Sequence, residues 1–184
     1  YRLATWRVAA QEINYRPFFD INSLVALRME EPIVFERAHR VLFQLLDQGV
    51  IQGLRLDHTD GLYDPFNYFE SLQSRFRRHL PADPTRTPDD QARPLPILVE
   101  KILELDEKLA TDWPVDGTTG YEFAALSIGV LVDPKAEAPL TQLYQDFTGD
   151  QRSFDAHVYE SKQRIVTEAP ASQVNMLAPA LEGL

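Results

Sequence analysis

The sequence predicts an α/β fold built on a parallel sheet, and three features lead to that prediction. Residues 50–57 and 95–100 are short apolar runs of strand length, each ending in an acidic residue. Residues 32–48 and 65–80 carry apolar side chains at helical spacing, before and between those runs. Helices that alternate with strands of this kind are typical of a parallel sheet covered by helices.

Each of the two helices has its own boundary signals. The first begins at Pro32, which suits a first turn, and ends before Gly49. Asp64 and Pro65 form an N-cap and first-turn pair for the second helix, which we expect to reach about Leu80. We expect the inner faces to consist of Val34, Ala38, Val41, Leu42, Leu45 and Leu46 in the first helix and of Phe66, Phe69, Leu72 and Phe76 in the second. The polar residues expected to face solvent in the second helix are Ser71, Arg75 and Arg78.

The remaining segments are less regular. Residues 3–8 predict a strand, and residues 14–20, interrupted by Pro17, predict a loop. Five prolines between residues 81 and 96 indicate a surface loop. After the second strand we expect a short helix over 104–110, a loop over 112–121, and helices over 121–131, 136–147 and 151–181, the last broken at Pro170.

This order of elements predicts two domains. Residues 1–110 would form the α/β segment with both strands, and residues 111–184 would form a helical subdomain attached after the strand that ends at Glu100. Because the chain begins at Tyr1, without a Met, we expect it to be part of something longer.

The composition favours a small neutral ligand over nucleic acid or membrane. Of the 184 residues, 44% are hydrophobic and 25% are charged, and the net charge is −10 with no basic stripe. Nucleic-acid binding therefore has little electrostatic support, whereas a sugar suits an acidic surface. No apolar run has membrane-spanning length, and the absence of cysteine is compatible with a reducing cytoplasm.

Charged residues lie on one face of the first strand. Alternation places Gly53, Arg55 and Asp57 on one side of the strand and the two leucines on the other. A guanidinium and a carboxylate at that position are costly unless they are paired or used in chemistry. The strand by itself leaves both interpretations open: an ion pair that fastens the strand end, or part of an active site.

The second acidic strand end favours chemistry. Asp57 and Glu100 would both emerge at the carboxyl edge of a parallel sheet, where α/β enzymes place their sites. Arg55 would keep Asp57 ionised, and the apolar run before Glu100 would keep that group protonated. Such a pair, about 5 Å apart, suits a retaining glycoside mechanism with Asp57 as nucleophile and Glu100 as acid and then base. Metal-dependent barrels also place acids there, but no histidine cluster suits a transition metal.

Four motifs point to a family. Gly53-x-Arg55-x-Asp57, followed by a strand ending in Glu100, resembles the α-amylase family of glycoside hydrolases and transglycosylases. Residues 15–22, 54–65, 98–103 and 117–123 together narrow the resemblance to its maltooligosyltrehalose synthase branch. The resemblance implies that the chain is a central fragment of a (β/α)8 TIM barrel, covering about strands 3 to 5, followed by the helical subdomain.

The resemblance also implies an activity. In that branch, the reducing-end α-1,4 linkage of a maltooligosaccharide is converted into an α,α-1,1 (trehalose) linkage through a covalent glucosyl-Asp57 intermediate, with no cofactor and no metal. His58 and Asp60 would contact sugar hydroxyls. The aromatic candidates to line a closed pocket are Trp113, Tyr121 and Phe19, each of which could equally be a core residue.

Other family features are missing from the chain. A third acid, late in the barrel, and an Asp-Asn-His-type segment are not found, so we expect the fragment alone to be inactive. Open sheet edges could lead it to self-associate. Two alternatives remain: an α-glucan hydrolase of the same family, of the amylase or trehalose-releasing type, and a non-catalytic glucan-binding module.

Overall fold

The computed structural model describes residues 3, 5–8, 12–13, 15, 17–18, 21–78, 87, 93–104, 106–168 and 171–183. Contacts divide the chain into two compact units. One unit contains residues 1–26 and 134–184, and the other, which carries both acidic strand ends, contains residues 27–133. The domain boundary predicted after residue 110 falls inside the second unit and stays a prediction. None of the helices described is both long and apolar enough to cross a bilayer.

The unit of residues 27–133 is built on a three-stranded sheet. Its strands, in spatial as in chain order, are β3 (Leu54–Leu56), β4 (Ile97–Val99) and β5 (Gly117–Thr118). Both pairings are parallel, with Leu56 opposite Val99 and Val99 opposite Thr118. The two predicted strands and their parallel arrangement are thus present. The third strand lies in the segment predicted to be a loop, where its two residues are too few to show a pattern of alternation.

Two helices, not one, precede β3. They are α1 (Pro32–Ala38) and α2 (Arg40–Asp47), separated at His39. The predicted inner face was wrong in part: Ala38 and Val41 are exposed. Leu46 is buried as predicted, and the other buried side chains of this segment are Phe35, Phe43 and His39, which lies between the two helices. Gly49 follows with φ +68°, a left-handed conformation in which glycine avoids the steric cost of a side chain, so the predicted stop is present.

Helix α3 (Pro65–Arg77) joins β3 to β4. Its N-cap is as predicted, because the Asp64 side chain accepts a hydrogen bond from the Asn67 amide at 3.0 Å. Phe69 and Leu72 are fully buried, whereas Phe66 is 39% exposed. Arg75 was wrongly expected to face solvent: it lies 4.8 Å above the Phe43 ring, and its side chain is mostly buried. The predicted end near residue 80 and most of the proline-rich loop lie outside the described residues.

The hydrophobic core lies between these helices and one face of the sheet. Ile97 and Val99 are fully buried on that face, whereas Leu98, pointing the other way, is 44% exposed. The core consists of Phe35, Phe43, Leu46, Phe69, Leu72, Leu95, Ile97, Val99 and Val115. The sheet therefore has one packed face and one open face within this unit, and the open face carries Arg55.

The segment after β4 contains a further difference from the prediction. A short helix was expected over 104–110, but its described residues, 104 and 106–110, are irregular, and the Glu107 amide donates to the Glu104 carbonyl oxygen at 3.1 Å. Helix α4 (Tyr121–Gly129) begins where predicted and ends this unit's regular structure.

The other unit is mostly helical. Residues Trp6–Val8 form a 3-10 turn, so the predicted strand there was wrong. Strand β1 (Pro17–Phe18) lies in the segment expected to be a loop, and it pairs antiparallel with β2 (Ile21–Val25). The remaining helices agree with the prediction apart from their bounds: α5 (Glu137–Thr148), α6 (Phe154–Glu168) and α7 (Ala171–Glu182). The predicted break at Pro170 lies outside the described residues.

Candidate active site

The sheet register brings the two acidic strand ends to one edge. Leu56 is opposite Val99, so the next residues, Asp57 and Glu100, leave neighbouring parallel strands at the same level. The Glu100 amide donates to the Leu56 carbonyl oxygen at 2.7 Å, which extends the pairing to the point where the chains turn away. This edge is the carboxyl edge of the sheet, where α/β proteins bind ligands.

Asp57 is paired with Arg55 on the open face of the sheet. One guanidinium nitrogen of Arg55 forms an ion pair with Asp57 Oδ1. The Asp57 side chain is nevertheless 63% exposed and that of Arg55 is 51% exposed. A carboxylate that is oriented by a cation and open on one side remains accessible to a ligand, so the ion pair and a chemical role are compatible.

Glu100 is half-buried and held by three groups. Its Oε2 accepts a hydrogen bond from the His58 amide at 2.7 Å, and its Oε1 accepts one from the Tyr121 hydroxyl at 3.4 Å. The Thr59 hydroxyl donates to the Glu100 carbonyl oxygen at 3.2 Å. The carboxyl group therefore has polar partners as well as the apolar strand that precedes it.

A tight turn follows Asp57. His58 has φ 49° and is the sole non-glycine residue with positive φ in the described part of the chain. Residues Thr59–Gly61 then form a 3-10 turn, and the Thr59 side chain is buried, 1% exposed. This conformation directs the His58 amide towards Glu100, which links the ends of β3 and β4.

Lys101 contributes a second link at the same edge. Its side chain is 15% exposed, and its Nζ lies 2.9 Å from Glu107 Oε1 and 3.2 Å from Asp60 Oδ1. The hydrogen bond to Glu107 is the main reason why the pKa of Lys101 is raised, and the bond to Asp60 acts in the same direction. The Lys101 ammonium in turn lowers the pKa of Glu107.

The predicted site residues do not all converge. Tyr121 joins Glu100, and His58 and Asp60 lie in the turn beside it. Trp113 is partly buried and packs against the core, with its ring centroid 5.0 Å from that of Phe69. Phe19 lies outside the described residues.

Sequence patterns did not single out two members of this edge. No pattern assigns a role to Thr59, and strict strand alternation would place Lys101 on the opposite face to Glu100. The strand ends at Val99, so strict alternation no longer applies at Lys101. The charge of Lys101 was the sequence signal that could have identified it, because a lysine beside an apolar strand needs an acidic partner.

A separate cavity lies beside this edge in the same unit. Its volume is about 620 Å³, and α1 and α3 supply much of its wall, including Phe35, Tyr68 and Arg75. Neither Asp57 nor Glu100 lines it. Among the described residues, no group of three or more His, Cys, Asp or Glu side chains is arranged to hold a metal ion.

The chain is similar to known proteins along nearly its whole length. A provisionally named maltooligosyl trehalose synthase of Mycobacterium tuberculosis is 36% identical over 177 residues, which cover 96% of this chain and 21% of that protein. The solved maltooligosyltrehalose synthase of Arthrobacter ramosus is 38% identical, with a TM-score of 0.84 over 98% of this chain and 22% of that one. A structure from Sulfolobus tokodaii, called a hypothetical maltooligosyl trehalose synthase, is 30% identical with a TM-score of 0.73 over 92% of this chain.

Two further facts qualify the likeness. The chain spans about a fifth of the length of these relatives. No family model matches the sequence.

Proposed function

This chain belongs to the maltooligosyltrehalose synthase family, and from that premise we propose that it supplies the nucleophile and the acid/base group for an intramolecular transglucosylation. The substrate is a maltooligosaccharide, whose reducing-end α-1,4 linkage becomes an α,α-1,1 linkage. The observation that carries the proposal is the pairing register, because it sets Asp57 and Glu100 side by side at the carboxyl edge of the sheet. In a complete (β/α)8 barrel of the α-amylase type, β3 and β4 would be the fourth and fifth strands.

Asp57 is the proposed nucleophile. Its carboxylate attacks the anomeric carbon of the penultimate glucosyl unit as the bond to the reducing-end glucose breaks, and Glu100 gives its proton to the departing oxygen. The glucose turns over in place. Its anomeric hydroxyl then attacks the glucosyl-Asp57 ester, returning a proton to Glu100, so the protein is regenerated and no atoms are gained or lost.

Arg55 and Tyr121 support the two acids in this scheme. The Arg55 guanidinium orients Asp57 from the open face of the sheet. The Tyr121 hydroxyl donates to Glu100 Oε1 at 3.4 Å, and in this scheme it would also contact the glucose. His58 and Asp60 belong to the turn that follows Asp57. Water must be excluded while the glucose turns over, because water attacking the same ester would give hydrolysis.

The full activity would also need groups that this chain does not show. A third carboxylate, which stabilises the oxocarbenium-like transition state in the α-amylase family, would come from the part of the relatives that this chain does not span. The proposal therefore assigns Asp57, Glu100 and their supports to this chain, and the remaining site to a longer protein.

Product analysis of maltopentaose turnover tests the proposal. The full-length protein should form a non-reducing pentasaccharide without releasing glucose. Replacing Asp57 with Asn or Glu100 with Gln should lower kcat by at least about a thousandfold, because each removes a group that takes part in bond cleavage. Replacing the exposed Asp106 with Asn is the control and should leave kcat unchanged. Reducing products would instead identify a hydrolase, and retained activity in either variant would overturn the assignment.

A further inference from the structure

The turn after β3 is attached to Glu100 and its successor by three consecutive residues. The His58 amide donates to Glu100 Oε2, and the Thr59 hydroxyl donates to the Glu100 carbonyl oxygen. Asp60 Oδ1 lies 3.2 Å from the ammonium nitrogen of Lys101. These three polar contacts join the turn to the end of β4.

We propose that Lys101 is a positioning residue for Glu100, and that Asp60 acts by holding Lys101 rather than by binding sugar. The inference rests on the proposed function, because it assumes that Glu100 is the acid/base group. Asp60 was expected to contact sugar; in this proposal it instead holds the Lys101 ammonium group in position.

The placement of Lys101 supports a constrained link. Its side chain is 15% exposed, and lysine is rarely buried to that extent unless it is paired. Its two acidic partners, Asp60 and Glu107, belong to the loops that follow β3 and β4. One ammonium group thus joins the two loops that flank Glu100. The raised pKa of Lys101 keeps that group charged over the whole range in which a glycosidase-type site works.

The backbone of the turn gives such a link a purpose. A left-handed conformation at a non-glycine residue such as His58 is unfavourable by itself, so surrounding contacts must maintain it. At Gly61 a Cβ atom would come within 2.7 Å of His58 Nδ1, so the turn is also closely packed against the His58 ring. If the Lys101 link were lost, the turn could relax, and the His58 amide would no longer point at Glu100 Oε2.

Four variants of the full-length protein test the inference on maltopentaose. Lys101→Met removes both ion pairs and keeps the aliphatic part of the side chain. It should lower kcat at least about tenfold and leave KM within about threefold of the unaltered value, because misplacing a catalytic group slows the reaction more than it weakens substrate binding. Lys101→Arg should restore most of kcat. Asp60→Asn should lower kcat less than Lys101→Met does, because Glu107 still holds the ammonium group. Lys108→Met, at an exposed lysine of the same loop, is the matched control and should change nothing.

The double variant Asp60→Asn/Lys101→Met separates the two roles of Asp60. If Asp60 acts only through Lys101, adding Asp60→Asn to Lys101→Met costs no further activity. If Asp60 binds sugar, Asp60→Asn lowers kcat/KM by the same factor in the Lys101→Met variant as in the unaltered protein, and this result would overturn the inference. The Asp60→Asn single variant keeps the test valid even if Lys101→Met does not fold.

A substrate with a good leaving group tests whether Glu100 is the group affected. Fluoride departs from an α-maltotetraosyl fluoride with little need for a proton. If Lys101→Met impairs only the action of Glu100 as an acid, this variant should release fluoride at nearly the same rate as the unaltered protein. Equal losses on both substrates would overturn the inference, because a general disturbance of the site affects them alike. A protein that hydrolyses maltopentaose refutes the proposed function but still allows this comparison, whereas an inactive unaltered protein would refute both.

Discussion

At the scale of single residues, the clearest polar contact outside the site joins His39 to Tyr68. His39 Nδ1 donates to the Phe35 carbonyl oxygen at 2.8 Å, since a carbonyl can only accept. In the neutral ring with its proton on Nδ1, Nε2 accepts a hydrogen bond from the Tyr68 hydroxyl at 2.7 Å. Because His39 is buried at the break between α1 and α2, the pair anchors both helices to α3.

Tyr68 gives a prediction about alkaline pH. Burial raises the pKa of Tyr68 from about 10 to about 12. Between those values the folded state keeps the phenol proton and the unfolded state loses it, so the free energy of unfolding should fall as pH rises from 10 towards 12. Tyr68→Phe should be less stable at neutral pH by about 1–3 kcal/mol, because His39 Nε2 loses its partner, and it should lack this part of the alkaline decline.

Urea unfolding at several pH values between 8 and 11, in roughly half-unit steps, would measure both effects. Tyr63→Phe is the control, since Tyr63 is 83% exposed and should keep the pH dependence of the unaltered protein. An alkaline decline that persists unchanged in Tyr68→Phe would show that Tyr68 does not cause it.

At the scale of elements, α3 is joined to β4 and to the approach to β5 by one buried amide. Gln73 is fully buried. Its Nε2 donates to the Leu95 carbonyl oxygen at 2.8 Å and to the Pro114 carbonyl oxygen at 2.9 Å, and its Oε1 accepts from the Leu95 amide at 2.9 Å. The Gln73 side chain thus forms hydrogen bonds with three backbone groups that are not paired within the sheet, and these bonds join α3 to the sheet.

Replacing Gln73 with Leu should therefore destabilise the fold strongly. The change removes all three hydrogen bonds while leaving their backbone partners buried, and we expect the free energy of unfolding to fall by about 3 kcal/mol or more. Gln44→Leu is the control on the exposed side of α2 and should change stability by less than about 0.5 kcal/mol. Urea unfolding measures both, and a loss for Gln73→Leu no larger than that of Gln44→Leu would contradict the network.

At the scale of the whole molecule, the chain spans only about a fifth of its relatives. The part of the chain in residues 27–133 has one face of its sheet open, with Leu98 and Arg55 at the surface. Helix α4 is exposed along much of its apolar surface as well, including Phe123 and Leu126, each 72% exposed. Surfaces of this kind are normally covered in a complete enzyme.

We therefore predict that the chain expressed by itself does not convert maltopentaose, whereas a full-length protein containing it does. The physical reason is that two acid groups without a closed pocket and a third carboxylate neither stabilise the transition state nor exclude water. Chromatography of the products from equal molar amounts would compare them. Turnover by the isolated chain that disappears in its Glu100→Gln variant would contradict this prediction.

The sequence alone predicted much of the candidate site. The strings around Asp57 and Glu100 are local, so both acids, the strands before them and the Asp64 N-cap could be identified from neighbouring residues. Local periodicity also predicted α4 to α7. It failed where the outcome depends on distant contacts. At the interruption between α1 and α2 the ring of His39 binds Tyr68, and β5 is defined by its pairing with Leu98 and Val99.

What the sequence by itself determined was therefore the chemistry: two acids at strand ends, an arginine beside one of them, and a family to which they belong. Only the tertiary structure decided how these groups are held. Three contacts join residues far apart in the chain: the His58 amide with Glu100, Asp60 with Lys101, and the ring of Trp113 with that of Phe69. Such contacts depend on which strands lie side by side and where each chain turns, and no local pattern of residues specifies either.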